Sequence, residues 1–160
     1  MFDKEYIFYG KHASMVKELN AKFSDEVGRG FFENNYEVYR LAPIVGYIYN
    51  QKGVLDKTNE TTKVFGDKML KEAEDLKFNY RVLMMLLLKN MSNEEKLDIT
   101  FKLDNKDNER KAYDDLYNSY VLGGMEVIYE KLMDTTHEVD ELMMNMYEFI
   151  ENIFMRVYAK

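Results

Sequence analysis

A chain of 160 residues, 46% hydrophobic and 32% charged, is long enough for one core, short for two domains and too apolar for a disordered segment. Twenty-two Lys and Arg against 29 Asp and Glu give a net charge of −7, which disfavours a nucleic-acid partner without forbidding a local basic patch, and falls short of the carboxylate density of a DNA mimic. The absence of cysteine excludes disulfides, thiol nucleophiles and Cys-ligated metal centres, and one proline with eight glycines leaves few loop signals, so the chain reads as all-α.

The N-terminal Met1-Phe2-Asp3-Lys4-Glu5 is charged and leads into no secretory pattern, so a cytoplasmic location is expected. The first amphipathic segment runs from Gly10 to Phe23, with Met15, Val16, Leu19 and Phe23 on one helical face. Gly28-Arg29-Gly30 interrupts it. From Glu33 to Asn50 the helical pattern resumes through Val38, Leu41, Ala42, Val45 and Tyr49, with Pro43 inside, where a helix must kink or restart. A polar loop follows from Gln51 to Thr62.

The longest predicted helix, Asp67 to Lys89, repeats apolar residues every three or four positions. Near its end Met84 to Leu88 is apolar on all sides, which means either core or a patch for a partner. The whole apolar stretch from Val82 to Leu88 is far shorter than a membrane-spanning helix needs. Ser92 with Glu95 forms a capping box that starts a short helix ending near Lys102. Leu97 to Leu103 also alternates in polarity, which is the pattern of a strand, so helix and strand both stand there. Asp104 to Glu109 has Glu109 where an EF-hand loop needs glycine, so it is no calcium site. The next helix carries Tyr113, Leu116, Tyr117, Tyr120, Val121, Val127, Ile128 and Leu132 and is interrupted by Gly123-Gly124. Thr135 with Glu138 is a second capping box, and from Val139 to Val157 comes the strongest helical periodicity in the chain. With no solenoid repeat, the expected architecture is one domain over residues 1–160, an all-α bundle of five or six helices.

Catalytic chemistry is hard to place. His12 and His137 are the two histidines, and neither sits in a motif. Glu126, Glu130, Asp134 and His137 step along one segment like carboxylate-rich metal ligands, but the paired Glu-x-x-His motifs of a di-metal bundle are missing. The glycine pairs match no phosphate-binding spacing, the serines lack a nucleophile elbow, and no cofactor is indicated. Arg29, Tyr36, Tyr39, Arg40 and Lys52 interleave cations with aromatics in a way that suits base stacking, although tyrosines at helical spacing commonly bury their rings.

Two stretches, Asn35-Tyr36-Glu37-Val38-Tyr39-Arg40-Leu41-Ala42-Pro43-Ile44-Val45-Gly46-Tyr47 and Tyr120 to Glu130 around Gly123-Gly124, stand out. The first resembles small uncharacterised bacterial proteins associated with DNA phosphorothioation (Dnd) and related phage-defence clusters, in which an aromatic-rich helix runs into Ala-x-x-x-Gly-Tyr. The resemblance implies an accessory or interaction role and carries no catalytic residues. Physically, Ala42 with Gly46, and Gly123 with Gly124, clear side-chain bulk where another helix can approach.

The expected function is therefore a non-enzymatic helical interaction or accessory protein of a bacterial defence or mobile-element system, with a protein partner and no membrane. A nucleic-acid-associated protein using Arg29, Tyr36, Tyr39, Arg40 and Lys52 is the alternative, and a metal enzyme stands behind it. Abundant Met and Tyr favour adaptable contact surfaces. The last helix has an apolar stripe wider than one core contact needs, so Met144, Tyr147 and Met155 are candidate interface residues for a possible homodimer.

Overall fold

The computed structural model describes residues 2–25, 28–101, 107–133 and 138–159. In chain order these form strand β1 (Tyr6–Tyr9) and helices α1 (Gly10–Leu19) and α2 (Asn35–Tyr49). Strand β2 (Thr61–Val64) follows, then α3 (Gly66–Lys71), α4 (Ala73–Leu87), α5 (Asn93–Phe101), α6 (Asp107–Met133) and α7 (Val139–Tyr158). The protein is a helical bundle, with seven helices among the described residues rather than five or six, and one small two-stranded sheet where an all-α bundle has none.

The strands pair antiparallel, Tyr6 opposite Val64 and Tyr9 opposite Thr61. Each has four residues, too few for a period-two pattern to stand out. Their role is local: Phe8 and Val64 are buried, and the pairing delivers the chain directly into α1 at Gly10, whose φ of 54° is the left-handed conformation glycine favours. Tyr9 offers α1 no side-chain cap. Asp56, from the segment before β2, supplies one instead, accepting the Lys11 amide at 2.8 Å and the Thr58 amide at 3.1 Å. Those backbone donors hold its carboxyl below the usual range.

Helix α2 starts at Asn34, whose side chain accepts from the Tyr36 and Glu37 amides at 3.1 and 3.3 Å. It ends at Asn50, in the left-handed conformation with φ 53°. Of the kink or restart expected at Pro43, there is no restart: the helix continues unbroken through it. Pro43 is buried, and packing outweighs the missing hydrogen bond. Replacing Asn34 with Ala removes the cap and should cost about 1 kcal/mol, a fall in Tm of about 2–4 °C for a chain of this size; thermal denaturation followed by circular dichroism reads it.

The centre of the bundle is the crossing of α2 and α6. A Cβ placed on Gly124 would run into the Ala42 carbonyl and lie 2.6 Å from the Gly46 amide nitrogen, and one on Gly46 would run into the Tyr120 carbonyl. Gly53, just past α2, meets Gly123 in the same way, and its amide donates to the Ser119 carbonyl at 2.8 Å. The small residues seen in the sequence thus meet across the crossing, Ala42 and Gly46 against Gly124, with Gly123 against Gly53. They let the two backbones touch, and Gly123-Gly124 does not break α6, which at 27 residues is the longest helix. The helix expected over Asp67 to Lys89 is instead divided at Glu72 into α3 and α4.

Around that crossing lie Val38, Ala42, Val45, Val121, Met125 and Ile128, all fully buried. Aromatic rings fill one end: Phe2 sits edge-on to Tyr80 and Tyr117 at 6.2 Å, and Tyr6 packs on Phe8 and Tyr39 at 4.9 and 4.4 Å. The Ser92–Glu95 capping box is formed, with the Ser92 amide donating to Glu95 at 3.0 Å and the Glu95 amide to Ser92 Oγ at 3.3 Å. From Leu97 to Phe101 the chain is helical, so no strand begins at Leu97; Lys102 and Leu103 lie outside the described residues, as does Thr135 of the second capping box. Among the described residues no helix is long and apolar enough to cross a membrane.

Candidate interaction surface

Helix α7 is amphipathic in an unusual way. Leu142 and Phe149 are buried and Ile153 is partly buried, so the helix docks along one narrow line. Phe149 stacks on Tyr49 of α2 with centroids 6.4 Å apart, the Arg156 guanidinium lies 4.2 Å from the centre of the same Tyr49 ring, and Asn145 donates to the Leu132 carbonyl of α6 at 3.2 Å. Most of the remaining apolar side chains face outward. Met144 is 59% exposed, Tyr147 65% and Met155 66%, and Met143, Ile150, Phe154, Val157 and Tyr158 are also exposed. Large exposed apolar patches on a folded domain mark candidate interaction sites.

A second apolar area lies on α4 and α5. There the all-round apolar run is divided: Leu83, Met84 and Leu88 are buried, whereas Val82, Met85 and Leu86 are exposed, as are Leu97 and Phe101 of α5. Between α2 and α4 an open groove of about 400 Å3 is lined by Leu41, Ile44 and Phe78 with Arg40, Asp75 and Asn79.

The aromatic and basic residues of α2 do not form a stacking platform. Tyr36 and Tyr39 are 4% and 2% exposed, with their rings in the core, where no base can reach them. Burial raises both phenols above their usual range. Arg40 and Lys52 are exposed but lie over rings of the protein itself, Tyr36 at 5.8 Å and Tyr120 at 5.3 Å; Arg29 is exposed on the irregular segment after Gly28. Burial overrode the stacking pattern because the apolar ring bodies were needed inside.

One polar constellation was not visible in the sequence. His12 is fully buried on α1, and its Nε2 lies 2.9 Å from Glu126 Oε1 on α6; Lys11 Nζ lies 2.9 Å from the same oxygen. His12 Nδ1 is buried with no hydrogen-bond partner. The neutral ring with its proton on Nε2 donates to Glu126 and leaves only an acceptor unsatisfied. Protonating Nδ1 would bury a donor with nothing to receive it, so desolvation holds the imidazole pKa below its ordinary value despite the opposing pull of Glu126. With both its carboxylate and its ring engaged across two helices, the pair ties α1 to α6. Glu130, the next acid along α6, pairs with Lys131 at 2.7 Å. Asp134 and His137 lie outside the described residues, and among the described residues no group of three or more His, Asp or Glu could hold a metal ion.

No family model, curated protein or solved structure matches this chain. The class that the fold defines is a helical bundle that presents one of its helices with an open apolar face.

Proposed function

We propose that the protein is a helical interaction protein, non-enzymatic, that binds another protein through α7. The observation that supports this is the open apolar face of α7, where Met143, Tyr147, Ile150 and Phe154 are all exposed on a helix anchored by few buried residues. The setting we propose is the one the resemblance implies, an accessory factor of a bacterial defence or mobile-element system.

The test is capture from the native host by the tagged chain, with and without Ile150→Glu and Phe154→Glu. Both residues point away from the core, so the variant should melt like the parent. Loss of a co-purifying protein from the variant is the expected result. Equal capture by both chains would remove α7 as the binding surface, and substrate turnover by the isolated chain, abolished by His12→Gln or Glu126→Gln, would overturn the non-enzymatic reading.

A further inference from the structure

Met143, Tyr147, Ile150, Phe154 and Val157 recur along α7 at steps of four, three, four and three residues, the spacing of a coiled-coil seam. All five are more than half exposed. At 3.6 residues per turn the seam is rotated about 100° from the line of Leu142, Phe149 and Ile153 that docks on the bundle, and it is about 21 Å long. The helix therefore has two apolar faces, one used within the chain and one open. Met144 and Met155, though exposed, lie beyond the edge of the seam.

Size and charge together say what suits this face. Seven side chains, the seam with Met146 and Tyr158 at its borders, leave on the order of 100 Å2 each if taken as half-exposed large residues, which approaches the about 800 Å2 per partner of a stable interface. The border away from the bundle carries Asp140 and Glu151. In all, α7 has four carboxylates, Asp140, Glu141, Glu148 and Glu151, and one cation, Arg156. Among the described residues none of the four carboxylates holds an ion pair, whereas the Arg156 guanidinium is occupied on the docked side by the Tyr49 ring. A second copy would bring acid against acid with no free cation from α7 itself between them, which costs affinity.

We infer that the open seam of α7 binds a basic amphipathic helix of another protein. Its apolar heptad positions pack on Met143, Tyr147, Ile150, Phe154 and Val157, and its Lys or Arg side chains face Asp140 and Glu151. The inference rests on the interaction reading above and specifies the occupant.

The experiment uses the full chain and two labelled heptad-repeat peptides with Leu at the seam positions and either Lys or Glu at the flanking ones, with binding followed by fluorescence anisotropy. The Lys peptide should bind at least about tenfold more tightly than the Glu peptide and weaken as salt rises. Asp140→Asn with Glu151→Gln should weaken it about three- to tenfold, and Asp140→Lys with Glu151→Lys should reverse the preference. Ile150→Glu with Phe154→Glu should abolish binding of either peptide. Equal binding of the two peptides, or none, overturns the inference. So does a dimer of the chain in sedimentation that Ile150→Glu dissolves; the interaction reading then stands and the occupant is a second copy. Host capture that is insensitive to the α7 variants removes the interaction reading itself.

Discussion

Gly124→Ala should lower the Tm, by as much as about 6–12 °C, the reverse of what the same change does in an ordinary helix. At an exposed helical site alanine gains about 1 kcal/mol over glycine by restricting the unfolded chain. At Gly124 the added methyl meets the Ala42 carbonyl and the Gly46 amide. Both are backbone atoms of a packed helix and cannot turn aside as a side chain can. The helices must separate, and the buried side chains on either side, Val45, Val121 and Met125, lose contact together. Overpacking of this kind costs up to about 3 kcal/mol, equivalent to the stated shift for a chain of this length. Gly46→Ala should act in the same direction through the Tyr120 carbonyl. An unchanged or raised Tm in thermal denaturation would show that α2 and α6 do not touch at these positions.

The second large effect is at His12 and Glu126. Removing the carboxylate with Glu126→Ala strands a fully buried imidazole N–H without an acceptor, at a cost of about 1–3 kcal/mol. Lys11 adds little to this, being half exposed. The pair also makes stability depend on pH. The imidazole pKa in the folded protein lies below its ordinary value of 6.5, so the unfolded chain takes up a proton more readily than the folded one. Its contribution is complete above that value and is lost as pH falls through the lower folded value. Urea unfolding at pH 7.5 and at pH 5 should show the wild-type chain losing more stability than His12→Gln, whose side chain keeps a donor toward Glu126 but does not titrate. Equal losses in the two proteins would mean that the His12 pKa is not depressed in the folded state.

How much of this could be read from the sequence differs from element to element, for physical reasons. Helix α7 was legible because twenty residues of strong apolar periodicity outweigh any local exception. Which of its two apolar faces docks was not, since periodicity counts apolar residues without knowing where the rest of the chain lies. Met144 and Met155 accordingly entered the candidate interface, whereas Met143, Ile150 and Phe154 define the open seam. The glycines of α2 and α6 announced close packing but not their mutual pairing, and of the two readings open at Gly123-Gly124, close approach or a break, the structure shows close approach. Tyr36 and Tyr39 show the same limit from the other side: ring and cation spacing is identical for a stacking surface and a core. The His12–Glu126 pair joins positions 114 residues apart, with no local pattern to mark either, so only the fold brings it into view.

The backbone contact between Gly46 and Gly124 also has a kinetic side. The two glycines are separated by about 80 residues, and closing a loop of that length costs chain entropy before any packing rewards it. Bundles built from neighbouring hairpins spread that cost over many short closures. Here the central crossing, and the β1–β2 pairing beside it, are both long-range events that enclose the intervening helices. The chain therefore carries more long-range contact than a bundle of neighbouring hairpins, and slower folding than such a bundle is the expected result in stopped-flow refolding.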